Sequence, residues 1–512
     1  MGSLKQDLID QGMELRETHI SQVFLGETNV YKLKKPVNLG FLDFSTLALR
    51  KQCCEAELAL NRRLAADVYL GIVPIAPDAQ GVHRLGANGE PVEWAVVMRR
   101  LAQSAAADQR LLDGALGRDD VALLAQHLAE FHARARCDAE TSDFGQVALI
   151  EANVRENFQQ TRASALEFLT AAELAALEHW QLNFLLQQRA CFEARMAAGR
   201  IRDGHGDLRL EHCYLERDGQ VRIIDCIEFN QRFRYADVCA DIAFLSMDLS
   251  WHGRQDLSED FLAQYARAAD DYDLYALVDF YESYRAHVRA KVSSMLMDDP
   301  NLAADARALA AAQARKYYVL AEACSREPLE PPRLIAVGGV IASGKSTVAE
   351  NLASLIHAPV IGSDRTRKAL LGVEPLTHLG DAAFSGAYDR DVTARTYREL
   401  LRRGEVVLRS RRSVILDASF RERDARAAAL QLSQRLGVSF LFIECSADAA
   451  TSRERLAQRA QRPSISDGRA ELLDAFMASY EPVVELPADS CMRVDTTQPL
   501  AKTLAEIQAR LG

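Results

Sequence analysis

The segment Gly339-Val-Ile-Ala-Ser-Gly344-Lys345-Ser346-Thr347 constrains this chain more than any other. It follows an apolar run, LIAVGG, and opens a helical stretch, so its GxxxxGK[ST] spacing falls where a strand hands over to a helix. Glycines are needed there because backbone amides must turn toward phosphate oxygens, and a helix amino terminus adds partial positive charge at the same point. Lys345 is placed to reach the terminal phosphates of ATP and Ser346 to ligand Mg²⁺, while Gly339, Ser343, Gly344 and Thr347 complete the cradle. Apolar strands are expected at 333–339, 358–363, 413–418, 438–445 and 491–495 with helical segments between them, the pattern of a parallel α/β sheet.

Two of those strands end in acids. SVILDASF brings Asp417 to a strand end, where it can share Mg²⁺ with Ser346. IGSD brings Asp364 to the carboxyl edge of the sheet, and Arg367 follows with DxxR spacing. In the functional reading Asp364 accepts a proton from a substrate hydroxyl and Arg367 holds the substrate's anionic group; a helix N-cap beside a solvated arginine is the bland alternative. Further on, RERLAQRAQR offers Arg455, Arg459 and Arg462, which either close over phosphates as a lid or form an ordinary charged helix face.

SREPLEPPRL, with three prolines at 325–334, separates this region from a different kind of sequence. A linker is expected at 326–332, a first domain over 1–325 and a second over 333–512. Strand-like pieces (ISQVFLG, NVYKLKK, GIVPIAP, EWAVVMRRL) and one helix occupy residues 1–100, and Ala- and Leu-rich helical periodicity dominates 101–325. A two-strand island, CYLERDGQVRIIDCIEF, turns at Asp218 and Gly219.

Length and charge narrow the function classes. A chain of 512 residues has room for two to four domains. Its net charge of −11 argues against a nonspecific nucleic-acid or anionic-membrane binder, although recognition of a nucleic-acid end needs few phosphate contacts and stays open. The ten cysteines contain no CxxC pair, and neither an export-type apolar region nor about 18 uninterrupted apolar residues occurs, so a cytoplasmic protein with reduced thiols is expected.

A second constellation lies in the first half. His205-Gly206-Asp207 falls on an expected loop, and Asp225 follows eighteen residues after Asp207 at the end of a hairpin. One carboxylate to orient an attacking hydroxyl and another to hold metal is what a phosphotransfer loop requires.

These motifs carry a resemblance. GGVIASGKST, the SD followed by xxRK, ILDASF and the late Arg-rich helix resemble the P-loop kinases that include zeta-toxin-like, gluconate-kinase-like and polynucleotide-kinase-like enzymes. HGDLRLEHCYLERDGQVRIIDCIEF resembles the aminoglycoside-phosphotransferase-like branch of the protein-kinase-like fold. THISQVFL, VYKLKKPVNLGFLDFSTL and DCIEFNQRFRYADVCADIAFLSMDL extend the likeness to bacterial proteins that fuse this fold to a P-loop kinase. The resemblance implies a two-lobed α+β domain followed by an α/β P-loop domain, and ATP with Mg²⁺ as cofactors. It implies phosphoryl transfer to a hydroxyl-bearing small molecule, with no membrane partner. It also implies that Asp207 is the catalytic acid-base residue, that Asp225 holds Mg²⁺, and that Lys32 pairs the ATP phosphates and Glu57. Lys34 shares a strand face with Lys32 and competes for that role, and both could instead lie on a solvated edge. One departure stands out: the loop pattern HxDxxxxN has His212 at its last position and Arg209 where relatives commonly carry His. A neutral imidazole suits softer metals than Mg²⁺, so the expected alternative is a first half that binds nucleotide or substrate without catalysis. Glu228 could stand in as a metal ligand or pair with a neighbouring cation.

Overall fold

The computed structural model describes residues 3–511 apart from 19, 39, 41, 301, 326–330 and 383. Most of the expected linker, 326–330, therefore lies outside the described residues. The chain forms two compact units, residues 1–254 with 280–324, and residues 255–279 with 325–512.

In the first unit six antiparallel strands, β1 (Glu14–Glu17), β2 (Ser21–Leu25), β3 (Asn29–Lys34), β4 (Tyr69–Pro77), β5 (His83–Leu85) and β6 (Glu93–Arg99), form a sheet in the order β1-β2-β3-β6-β4-β5. β3 is thus an interior strand, and its Lys34 is 3% exposed, which overturns the reading of Lys32 and Lys34 as a solvated edge. The helix Leu47–Ala65 packs on this sheet, started by Thr46, whose side chain accepts from the Leu49 amide. Two short pairs follow within the helical remainder: β7 (Ile201–Asp203) with β10 (Tyr235–Asp237), and the hairpin β8 (Cys213–Leu215) and β9 (Val221–Ile223). Gly219 turns that hairpin at φ +77°, a conformation that favours glycine. The helix Val238–Trp251 runs through the interior, apolar almost all round except for the buried Asp241, Ser246 and Asp248.

The second unit holds five parallel strands, β11 (Arg333–Gly338), β12 (Val360–Gly362), β13 (Val414–Asp417), β14 (Ser439–Ser446) and β15 (Cys491–Asp495), in the order β12-β13-β11-β14-β15. The central strands β11 and β13 are apolar and buried on both faces, as interior parallel strands require, with Ile335, Val337, Ile415 and Ile443 packing against Val348 and Leu352 of the helix Lys345–Ile356. Central β11 pairs with β13 on one side and β14 on the other, so the crevice beyond its carboxyl end opens at the switch point of the sheet.

This division differs from a single cut near residue 325. Residues 255–279 belong with the second unit because their charges are matched there. Arg403 forks onto Asp270 at 2.7 and 2.8 Å, Arg412 meets Glu259 at 2.8 Å, and the Tyr272 hydroxyl donates to the Val360 carbonyl at 2.9 Å.

Candidate functional site

In the second unit the phosphate-type loop takes the shape its glycines permit. Gly339 has φ +142° and Gly344 φ +82°, and a Cβ on Gly339 would run into the Cys445 carbonyl oxygen. Gly344 caps the helix that begins at Lys345, so that helix's free amides face the loop. The loop is held from both sides: the Gly339 amide donates to the Ser419 carbonyl at 2.9 Å, and Thr496 Oγ1 donates to the Ser343 carbonyl at 2.7 Å.

The three arginines divide their work. Arg455 donates to the Ala342 carbonyl at 3.2 Å and to Thr496 Oγ1 at 3.0 Å, which makes it a brace behind the loop. Arg459 and Arg462, together with Gly344, Thr347, Arg455 and Thr496, line a cavity of about 680 Å³. This is a positively charged opening beside a phosphate-type loop.

Asp417 lies at the end of β13, and burial pushes its carboxyl above the usual range against the opposing pull of Lys345 and a hydrogen bond from Ser346. Its Oδ1 is buried with no hydrogen-bond partner among the described residues. A buried, orphaned carboxylate oxygen beside a hydroxyl is a donor set suited to a hard divalent cation, so Ser346 and Asp417 fit Mg²⁺.

Asp364 stands in the first turn of the helix Ser363–Leu370, close enough for its charge to push the pKa values of Asp417 and Tyr388 up. Arg367 is not the solvated arginine of the bland alternative. It is 5% exposed, donates to the Ala387 carbonyl at 2.7 Å and stacks over the Tyr388 ring at 4.6 Å. Its Nη1 is thus committed to the wall beside Asp364, while its Nε is buried with no hydrogen-bond partner among the described residues. Two residues the motifs did not mark, Tyr388 and Asp467, complete that wall. Buried Asp467 accepts from the Tyr388 hydroxyl at 2.8 Å and from the Leu379 amide at 3.1 Å, and it pairs with Lys368 and His378. Sequence carries no signal for Asp467, because its partners lie about 80 to 100 residues away.

In the first unit the expected residues converge. Lys32 Nζ lies 2.8 Å from Glu57 Oε1 and also pairs with Asp225; Lys34 Nζ lies 2.6 Å from Glu57 Oε2 and pairs with Glu228. Glu228 is therefore a salt-bridge partner of Lys34. Burial opposes both lysine charges, but the surrounding carboxylates hold both above the ordinary lysine range. Asp225 takes φ +66°, and its amide donates to the Tyr69 hydroxyl at 3.1 Å.

The loop around Asp207 is wrapped on Asp241, whose Oδ2 accepts from the His205 amide at 2.6 Å and whose Oδ1 accepts from the Gly206 amide at 2.9 Å. A Cβ on Gly204 would collide with the same carboxylate. His205 donates from Nε2 to the Ile224 carbonyl at 2.9 Å, and burial pushes its pKa down to about 4. Asp207 is gripped by Arg209, Nε to Oδ1 at 3.1 Å and Nη2 to Oδ2 at 2.9 Å; burial opposes its charge, yet Arg209 holds it well below the usual carboxylate range. Asp241 was legible only as an acid inside an otherwise apolar helix, VCADIAFLSM.

The family described as "AAA domain" matches residues 334–483. The uncharacterized proteins Rv2004c of Mycobacterium tuberculosis (strain ATCC 25618 / H37Rv) and Mb2027c of Mycobacterium bovis (strain ATCC BAA-935 / AF2122/97) are each 33% identical over 494 residues. These matches cover 96% of this chain and 94% of theirs. Among solved structures, a gluconokinase from Sinorhizobium meliloti 1021 aligns with 35% of this chain and 91% of its own at 24% identity and TM-score 0.26. A choline/ethanolamine kinase family protein from Mesorhizobium loti aligns with 61% of this chain and 92% of its own at 12% identity and TM-score 0.33.

Proposed function

The chain belongs to the family that includes these two mycobacterial proteins, and from its own residues we propose that it is an ATP-dependent phosphotransferase whose P-loop unit phosphorylates a hydroxyl of a small molecule. The observation that carries this reading is the orphaned Asp417 oxygen beside Ser346 at the mouth of the phosphate-type loop. ATP would lie with its phosphates on the amides of Gly344 to Thr347, with Lys345 neutralising charge that moves onto the transferred group. Bound Mg²⁺ supplies charge neutralisation on the phosphates, and Ser346 and Asp417 would hold it. Asp364 orients the acceptor hydroxyl, while Arg459 and Arg462 supply positive charge from the cavity wall. Arg367 acts through Tyr388 by fixing the wall beside Asp364.

The first unit is, in this reading, a second phosphotransferase-type site, with Lys32 and Glu57 for nucleotide, Asp225 for metal and Asp207 for the hydroxyl. The convergence of Lys32, Glu57 and Asp225 favours nucleotide binding there. The acidity of Asp207 suits it to orienting a hydroxyl better than to removing its proton.

The test is ADP release by the full chain with sugars, sugar acids, aminoglycosides and oligonucleotides as acceptors. Lys345→Ala should lower acceptor-stimulated turnover by at least about a hundred-fold. Stimulated turnover that survives this change but disappears in Asp207→Asn would move the activity to the first unit.

A further inference from the structure

The position that a catalytic-loop asparagine takes in protein kinases, where its oxygen holds a second divalent ion, is occupied here by His212. The surroundings of that imidazole fix what it can do. Nδ1 lies 2.8 Å from the Asp207 carbonyl oxygen, which only accepts, so Nδ1 carries the proton. Nε2 lies 3.4 Å from Arg209 Nη2, which only donates, so Nε2 presents its lone pair to the guanidinium. That nitrogen is also the one nearest Asp225, 3.6 Å from Oδ2.

The guanidinium is in turn anchored by carboxylates. It forks onto Asp207 at 3.1 and 2.9 Å and pairs through Nη1 with Glu211, and its side chain is 13% exposed. Lys32 neutralises Asp225 separately. The space bounded by Asp207, His212 and Asp225 therefore already contains a fixed positive charge. The histidine that replaces an oxygen donor is turned to accept from that charge. A hard divalent cation finds no oxygen from residue 212 there and meets a guanidinium that it would have to displace.

We propose that the site of the first unit binds a nucleoside triphosphate with one divalent cation, held by Asp225, and that Arg209 supplies the positive charge that a second cation supplies in two-metal kinase sites. This rests on the reading of the first unit as a nucleotide site, and it makes Arg209 and His212 a matched pair. Replacing Arg209 alone leaves the His212 Nε2 without this donor, while replacing His212 alone leaves the guanidinium in place on Asp207 and Glu211.

The measurement is a count of nucleotide and metal. The full chain is saturated with a non-hydrolysable ATP analogue, and bound Mn²⁺ is determined by electron paramagnetic resonance. The native protein should hold about two nucleotides and about two Mn²⁺ per chain, one in each unit. The double variant Arg209→Ala/His212→Asn, which removes the guanidinium and restores an oxygen donor, should hold about three Mn²⁺. About three Mn²⁺ on the native protein, or no gain in the double variant while tryptophan fluorescence shows it folded, overturns the proposal. The native count decides the matter even if the variant fails to fold. A single nucleotide per chain that Lys345→Ala abolishes overturns this inference and leaves the P-loop reading standing; no bound nucleotide at all overturns both.

Discussion

Arg426 is a wholly buried cation, 0% exposed, and the carboxylate that neutralises it, Glu485, lies 59 residues away in sequence. It pairs with Glu485 and donates to the carbonyls of Phe420 at 2.8 Å and Pro482 at 3.2 Å, so one guanidinium ties the segment after β13 to the approach to β15. Removing one partner of a buried pair strands the other without solvent. Arg426→Ala should therefore destabilise the second unit by about 3 to 5 kcal/mol in chemical denaturation. Burial opposes the Glu485 charge, but Arg426 holds that carboxyl below the ordinary range. Its contribution is then complete above the unfolded value of about 4.3 and is lost as pH falls through the lower folded value. The variant should lack this acid-side dependence, and a denaturation midpoint unchanged from the native protein would count against the assignment. The residue scale is also where motif reading separates into two classes. Gly339, Gly344, Lys345 and Ser346 were legible because consecutive residues make the site. Arg367 was placed by spacing, but its burial was not legible, because only the packing of Tyr388 and Ala387 around it shows that it is not solvated.

At the scale of elements, the helix Val238–Trp251 positions the Asp207 loop. It begins at Asp237, whose side chain accepts from the Cys239 amide at 2.8 Å, and it carries Asp241 and Asp248 inward. Asp248 accepts from the Leu210 amide at 2.9 Å, so the two acids take three loop amides between them. An acid inside an apolar helix is expensive unless it is hydrogen-bonded, and here it satisfies loop amides that would otherwise be buried without partners. Asp241→Ala should cost about 2 to 4 kcal/mol through the His205 and Gly206 amides it leaves unpaired, as read by urea unfolding. Asp241→Asn should cost less, since it keeps one oxygen, and equal losses for the two variants would refute the hydrogen-bonding account. Element identity was largely legible: the five strands of the second unit fall within the expected segments to within a residue or two, and the continuous apolar runs of β11 and β13 are the ones buried on both faces. Which elements share a unit was not. Residues 255–279 read as one more helical stretch of the first half, and only the charge matching at Asp270, Glu259 and Arg403 assigns them to the second.

The molecule as a whole carries a built-in reporter, since its three tryptophans, Trp94, Trp180 and Trp251, all lie in the first unit. That unit also contains two histidines kept neutral by burial, His205 pushed down to about 4 and His287 pushed down to about 3. A histidine with a depressed folded pKa contributes stability above its unfolded value of about 6.5, and this contribution is lost progressively as pH falls below it. By pH 4 the loss amounts to roughly 3 kcal/mol for each. The melting temperature followed by tryptophan fluorescence should therefore fall between pH 7 and pH 5, and a constant value across that range would exclude this linkage.

The phosphate-type loop, the parallel sheet behind it, the acids just past β12 and at the end of β13, and the pairing of an HxD loop with a later aspartate are all written in the order of the residues. These are legible because each depends on residues close together in the chain or on a period of burial. That Asp467, Asp241 and Arg426 are tied into the fold, that Arg367 is buried against Tyr388, and that Arg209 and His212 meet beside Asp207 and Asp225 emerges only once the chain is folded. The physical reason is the same in each case. The meaning of a charged side chain depends on which opposite charge and which buried amides meet it, and those partners arrive from distant parts of the chain.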